Sequence, residues 1–292
     1  MKSKGKKTAF TIIELLTVMS IIVILIGLLL PSLNMVKRYA KVVTQKNLLR
    51  NIDTGLQAFE IDFKEYPASG ATDAAGAQYC GAMKLAEAMA GQDGLGFHSD
   101  STFKADDGPT GPTELYPPSQ GDPGSWPDWY VENLRKRKEF LEGKDIQICS
   151  LNDLYASASG FTFTNEVALL CDVFRSVTNR NTHKRMGMPI LYYKADSSKL
   201  VHDVNDPTNS DNIYNYLDNH AFLGLGLPWE LTTMPPLYKA ASGPEGRVFY
   251  EKTLDKSALP IERPHNKDSY ILISAGWDGI YGTRDDVFNF AD

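Results

Sequence analysis

The chain has 292 residues, of which 42% are hydrophobic and 11% aromatic, and its formal net charge is −6. The charge is unevenly divided: residues 1–50 carry nine basic side chains against one acid, whereas residues 51–292 carry 21 against 35. Because phosphate contacts need the larger part to be positive, this division argues against nucleic acid as a partner. The apolar content argues against disorder, so residues 51–292 are expected to form one large domain, or one domain with a big insertion.

The N-terminal segment predicts a membrane helix. An apolar run over residues 10–30, in which Glu14 is the single charge, follows four basic residues: Lys2, Lys4, Lys6 and Lys7. As a helix the run would be roughly 31 Å long, close to the hydrocarbon thickness of a bilayer. The lysines are expected to keep the N-terminus in the cytoplasm and leave the acidic bulk outside.

Two simpler interpretations of this segment are a cleaved secretory signal and a plain signal anchor. A signal peptide has a shorter apolar region, about 7–15 residues, that ends in a small-residue cleavage site. A plain anchor does not explain Glu14, since a carboxylate in the membrane segment costs on the order of 2–3 kcal/mol. Glu14 therefore indicates that the segment has a function beyond membrane anchoring.

Residues 8–31, TAFTIIELLTVMSIIVILIGLLLP, resemble the N-terminal segment of type IV prepilin-like proteins, the pilins and the type II secretion pseudopilins. The resemblance implies that residues 1–9 are a leader, that a prepilin peptidase cuts between Ala9 and Phe10, and that the new N-terminus is methylated. It also implies that Glu14, fifth in the mature chain, pairs with the terminal amine of a neighbouring subunit during assembly. The family usually has glycine before the cut, where this chain has Ala9, which puts the efficiency of processing in question.

The apolar pattern continues past Pro31 at helical spacing. One long helix is expected, with a transmembrane half over residues 10–31 and an amphipathic half over residues 32–66 that packs on a globular domain. Pro31 can kink this helix. The apolar face is predicted to contain Leu33, Val36, Ala40, Val43, Asn47, Leu48, Ile52, Leu56, Phe59 and Phe63.

Residues 67–245 form a loop-rich region that the smaller pseudopilins mostly lack, so it is interpreted as an insertion. The complete prediction is an α+β fold in which the long N-terminal helix packs on a small antiparallel β-sheet. The predicted segments are helices at 79–90 and 129–143 (the latter capped by Asp128), a loop at 104–128, a short helix within 212–220, and strands at 189–196, 246–252 and 269–275.

Residues 246–292 are predicted to be C-terminal strands with an aspartate- and glycine-rich loop. Asp278, Asp285 and Asp286 stand within nine residues, among glycines at 276, 279 and 282. Calcium prefers six to eight oxygen ligands from carboxylates and carbonyls in tight turns. The sequence resembles the C-terminal loop of major pseudopilins, G-x-D-G-x-x-G-T-x-D-D, and that resemblance implies Ca²⁺ held by the three aspartates. A loop solvated by water is the alternative.

The remaining reactive residues do not indicate an enzyme. The five histidines are scattered, and Ser274 lacks the glycine two residues before it that a nucleophile elbow needs. An acidic cluster of Asp203, Asp206 and Asp211 is either a second cation site or a solvated loop. The three cysteines leave two arrangements open, a Cys149–Cys171 disulfide with Cys80 left over, or buried free thiols.

These observations and the resemblance predict a structural subunit of a periplasmic pseudopilus in type II protein secretion. The implied partners are a prepilin peptidase, other pilin-like subunits, the inner-membrane assembly platform and the lipid bilayer. The implied location is the bacterial inner membrane, with a single pass and the C-terminal domain in the periplasm or outside the cell. A minor pilin of a type IV pilus, with an insertion that binds a surface, DNA or another partner, is the alternative.

Overall fold

A computed structural model describes residues 11–105, 114–117, 125–141, 147–155, 168–179, 182–239, 242–258 and 260–290. The chain divides into two compact units, Met1–Val43 and Thr44–Asp292. The predicted cleavage residues Ala9 and Phe10 lie outside the described residues, as do positions 106–113 and 118–124 of the predicted loop.

The long N-terminal helix is confirmed as α1, Ile12–Phe63, and it continues through Pro31. In the first unit its large apolar side chains are exposed to solvent. In the second unit one face is buried, and it contains Gln45, Leu48, Leu49, Ile52, Gly55, Leu56 and Phe59. The predicted apolar face is therefore right from Leu48 to Phe59. Its other predicted members are exposed: Leu33, Val36, Ala40, Val43, Asn47 and Phe63.

At Gly55 the backbone of α1 lies very close to other parts of the second unit. A Cβ atom there would lie 2.6 Å from the carbonyl oxygen of Phe140 and 2.9 Å from Sδ of Met89. The glycine, which weakens an isolated helix by about 1 kcal/mol, is thus required by packing.

Helix α2, Gly81–Ala90, confirms the prediction at 79–90, and all ten of its residues are buried. It begins at Gly81, where a Cβ atom would lie 2.2 Å from the carbonyl oxygen of Tyr192. The small residue lets the helix contact strand β7, Leu191–Lys194. Because α2 is buried on all sides, it lies at the centre of the second unit.

The described residues of the second unit form four small antiparallel sheets. The largest sheet has the strand order β7-β8-β9, in which β8 is Tyr270–Ser274 and β9 is Val287–Phe288. Leu191 of β7 lies opposite Ile273 of β8, and Ile273 lies opposite Phe288 of β9. The other pairs are β1, Phe97–His98, with β2, Arg137–Lys138; β3, Gln147–Ser150, with β4, Ala168–Cys171; and β5, Val177–Thr178, with β6, Arg185–Met186. The α+β class is confirmed, and so are the predicted strands at 189–196 and 269–275. Because β7 pairs with β8, the region predicted as an insertion and the C-terminal region share one sheet.

The remaining helices are short. They are α3, Asp128–Arg135; α4, Leu151–Leu154; a 3-10 turn at Tyr216–Asn219; α5, His220–Leu223; α6, Arg247–Thr253; and a 3-10 turn at Lys256–Ala258. Helix α3 is shorter than the predicted 129–143, because the chain enters β2 at Arg137. Its N-cap is Pro127, so the prediction of an Asp128 cap is wrong by one residue.

The prediction of a strand at 246–252 is wrong, because these residues begin helix α6. The buried residues Phe249, Tyr250 and Thr253 share one helical face, and Gly246 precedes them with φ 80°. Tertiary packing of that face has overridden the strand propensity of the Val-Phe-Tyr sequence.

Cys149 and Cys171 form a disulfide between β3 and β4, with their Cα atoms 6.6 Å apart. Cys80 is a buried free cysteine. Of the two arrangements that the sequence left open, the structure therefore has the first.

Candidate functional site

The exposed apolar stretch of α1 is the first candidate site. It includes Ile12, Leu16, Ile21, Leu25 and Leu30, whose side chains are 81%, 64%, 56%, 60% and 58% exposed. The helix is long and apolar enough to cross a membrane, and none of its most apolar 18-residue window is buried. Each such side chain gains about 1.5–3 kcal/mol when it leaves water, so this stretch strongly favours an apolar environment.

Glu14 forms a capping box with Thr11 at the start of α1. The carboxylate oxygen Oε2 accepts hydrogen bonds from the Thr11 backbone N–H, at 2.8 Å, and from the Thr11 hydroxyl, at 2.7 Å. In return Thr11 Oγ1 accepts a hydrogen bond from the Glu14 backbone N–H at 3.3 Å. The T-x-x-E sequence is the signature of this motif, and it gives Glu14 a structural role that the sequence analysis missed.

The capping box leaves one oxygen of Glu14 for another donor. Both bonds to Thr11 use Oε2, and no described residue donates a hydrogen bond to Oε1. A carboxylate can accept at both oxygens, so capping and a bond to a further amine are compatible.

The aspartate and glycine loop connects β8 to β9 and is organised by its own carboxylates. Asp278 Oδ1 accepts a hydrogen bond from the Ile280 N–H at 2.8 Å. Asp285 accepts from the Asp278 N–H at 2.9 Å and from the Thr283 hydroxyl at 2.6 Å. Gly276, Gly279 and Gly282 have φ values of 69°, 73° and 96°, which favour glycine.

Asp278 and Asp285 lie close enough to influence each other's ionisation. Burial, together with the charge of Asp285, raises the pKa of Asp278. Although burial opposes it, the Thr283 hydroxyl and the Asp278 N–H lower the pKa of Asp285. Two adjacent carboxylates of this kind share a proton or attract a cation.

The third predicted ligand, Asp286, is held by different groups. Its side chain is 1% exposed and forms an ion pair with Lys252 of α6 at 3.3 Å. Oδ2 accepts a hydrogen bond from the Gly282 N–H at 2.9 Å, whereas the buried Oδ1 has no hydrogen-bond partner among the described residues. Burial raises the pKa of Asp286 to about 7 in spite of Lys252. Lys252 also donates to the Thr283 carbonyl oxygen. The sequence analysis missed this lysine because it read residues 246–252 as a strand.

The loop fits a calcium ion in part. Its donors are the hard oxygens that calcium prefers, and the buried Oδ1 of Asp286 has capacity for a further partner. Within the described ranges, no three His, Cys, Asp or Glu side chains are placed to hold one metal ion. Asp278 and Asp285 are thus the pair that the loop brings together, with Asp286 turned towards Lys252.

A network of buried charges around α2 was not anticipated. Glu87 is 1% exposed, and its carboxylate accepts hydrogen bonds from the hydroxyls of Tyr79, Ser101 and Tyr116. Lys84, one turn earlier, donates to two backbone carbonyl oxygens at 2.7 and 2.8 Å. Helical periodicity could not reveal this network, because it places polar residues on solvent-facing surfaces.

The acidic cluster forms a loop whose carboxylates bond to nearby backbone. Asp203 accepts hydrogen bonds from the N–H groups of Asn205 and Asp206, both at 2.9 Å. Asp206 accepts from Thr208, and Asp206 and Asp211 are exposed. In the part of the chain that the structure describes, these aspartates form no metal-binding group.

Comparison of the chain with protein-family models, with curated proteins and with solved structures finds no match.

Proposed function

We propose that this protein is a structural subunit of a pilin-like fibre, the pseudopilus of type II protein secretion, and that its work is assembly rather than catalysis. The observation that carries the proposal is the exposed apolar part of α1. The same helix continues into the second unit, Thr44–Asp292, which we call the head, and there one face of the helix is buried. A subunit of this kind needs one surface for the bilayer before assembly and for neighbouring helices after it.

In this proposal the apolar stretch spans the inner membrane, with the N-terminus in the cytoplasm and the head outside. A prepilin peptidase removes residues 1–9, and the assembly platform moves the subunit into the fibre. Glu14 keeps the first turn of the helix intact through Thr11. Its second oxygen, Oε1, accepts the terminal amine of a neighbouring subunit, which sets the register between helices.

The calcium ion belongs to the same proposal. Asp278 and Asp285 would provide carboxylate ligands, and Asp286 would provide one only through Oδ1, because Oδ2 bonds to Gly282 and faces Lys252. The bound cation would neutralise adjacent carboxylates and stabilise the loop that joins β8 to β9.

A pair of variants at Glu14 tests the assembly role. Glu14→Gln keeps an oxygen that can accept from Thr11 but loses the charge, whereas Glu14→Ala loses both. The cap contributes about 0.5–2 kcal/mol to the helix. Both variants are expected to reach the membrane and to be absent from sheared fibres, since each lacks the charge that binds the neighbouring amine.

A fibre fraction of Glu14→Gln equal to that of wild type, with Glu14→Ala defective, would reduce the role of Glu14 to capping. Fibres formed equally by both variants would contradict the proposed role altogether. Thr17→Ala is the matched control, because among the described residues the Thr17 hydroxyl bonds to the Glu14 carbonyl of its own helix and to no other group.

A further inference from the structure

A groove lies between α1 and the C-terminal strand of the second unit. Leu49, Phe288 and Phe290 give it an apolar floor, and its volume is about 140 Å³. Lys46, Arg50, Asp53 and Asn289 complete the lining. The space is small, so it suits one or two side chains rather than a large ligand.

The two cations of the groove are exposed, and the described part of the chain gives them no acidic partner. Lys46 and Arg50 are one helical turn apart, and neither forms an ion pair with any described residue. Asp53, the acid beside them, is already engaged, because it accepts hydrogen bonds from the Tyr270 hydroxyl at 2.5 Å and from Gln57 at 3.2 Å. The groove is therefore positively charged on one side and apolar beneath.

The acidic loop 203–211 has the complementary charge. Asp206 and Asp211 are exposed and form no ion pair within the described ranges. No lysine or arginine occurs between Lys199 and Lys239, so no neighbouring residue in sequence neutralises the loop. Its backbone is held in one conformation by the bonds of Asp203 and Asp206 to nearby N–H groups, which favours binding as a preformed unit.

We propose that the acidic loop 203–211 of one copy of this chain docks at the Lys46–Arg50 groove of another copy. The contact joins two different surfaces of the same molecule, and head-to-tail contacts of that type build open filaments. The inference rests on the proposed assembly function, and it identifies a contact between heads in addition to the apolar helices. Exposed ion pairs of this type select and orient partners more than they add affinity.

A zero-length carbodiimide crosslinker tests the contact, because it joins a lysine amine to an aspartate carboxylate only when the two groups touch. Isotope-labelled and unlabelled full-length chains would be mixed, reconstituted into vesicles and crosslinked, and the peptides analysed by mass spectrometry. We expect mixed-label crosslinks from Lys46 to Asp206 or Asp211. Raising the salt concentration should reduce their yield, because it screens exposed charges.

Charge exchange gives the second readout. The first variant is Arg50→Glu, and the second combines Asp206→Lys with Asp211→Lys. Each variant should lower the yield of mixed-label oligomers about tenfold. A variant that combines all three substitutions should restore the yield. The control is Lys184→Glu with Arg185→Glu, an exposed basic pair outside the groove, which should leave the yield unchanged.

Lys46 crosslinks found only within single copies would overturn the inference, and so would a combined variant that stays as weak as its parents. If mixed-label crosslinks form elsewhere but none involve Lys46, the copies assemble without this contact, and the proposed function stands without it. If the copies do not associate at all, the inference fails, whereas the proposed function is judged separately by the Glu14 variants, because fibre assembly in that proposal requires the processed chain and the assembly platform.

Discussion

Asp218 provides a quantitative test of the buried polar centre. It lies in the 3-10 turn Tyr216–Asn219, is 5% exposed, and accepts a hydrogen bond from the Ser69 hydroxyl. Burial raises the pKa of its carboxyl group from 3.8 to about 6, against the opposing effects of Ser69 and Lys84. Below about pH 6 the folded state therefore favours a neutral Asp218.

The sign of the pH dependence follows directly. Well below pH 3.8 the carboxyl is protonated in both states. Between pH 3.8 and about 6 only the unfolded state ionises readily, and above about 6 the folded state has to hold an unfavourable charge. About two pKa units at about 1.4 kcal/mol each amount to roughly 3 kcal/mol of stability lost over this interval. Asp218→Asn keeps the shape and an acceptor for Ser69 but cannot ionise.

The assay is the urea unfolding of a chain that lacks residues 1–31, with tryptophan fluorescence as the signal that monitors unfolding. The stability of Asp218→Asn relative to wild type should increase by about 2–3 kcal/mol between about pH 4 and about pH 7. Asp196→Asn is the control, because the Ser198 hydroxyl lowers the pKa of that exposed carboxyl, and its relative stability should not rise. A flat or falling difference for Asp218→Asn would refute the reasoning.

Three further predictions concern packing, the disulfide and calcium. Gly55→Ala should cost about 1–3 kcal/mol in urea unfolding, because its Cβ meets a backbone carbonyl, whereas the same substitution at exposed Thr54 should have little effect; equal costs would contradict the packing. Replacing both Cys149 and Cys171 by alanine should lower the free energy of unfolding by about 3 kcal/mol, because the disulfide restricts the entropy of the unfolded chain by closing a loop across 22 positions. An unchanged unfolding midpoint would contradict the disulfide. Chelator should lower the melting temperature of wild type but not of Asp285→Ala, and a wild type that ignores chelator would contradict the calcium site.

The long helix could be predicted because its signals are local and repeated. The apolar run and the spacing of Leu48, Ile52, Leu56 and Phe59 lie in consecutive residues, and periodicity reads such patterns well. The role of Gly55 could not be read in the same way, since it depends on Phe140, which is far away in sequence.

The capping box of Glu14 was readable but missed. Thr11 and Glu14 have the required spacing before an apolar run, and the Thr11 hydroxyl and backbone N–H are the local partners of the carboxylate. The charge of this residue therefore has two explanations, one within the chain and one between chains, which the Glu14→Gln variant separates.

Helix α6 shows the limit of propensity. The sequence Val248-Phe249-Tyr250 favours a strand, but burying Phe249, Tyr250 and Thr253 together requires helical spacing. The same error concealed Lys252, which anchors Asp286 and the Thr283 carbonyl. Because residues 246–252 were predicted as a strand, the contact of Lys252 with the aspartate and glycine loop was not predicted.

The N-terminus of the mature chain tests the central claim most directly. The protein would be extracted from membranes of cells with an active prepilin peptidase, and its N-terminus determined by sequencing and intact mass. A subunit of a pilin-like fibre should begin at a methylated Phe10. A chain that still begins at Met1 in those cells, or one cut after the apolar run, would contradict the account.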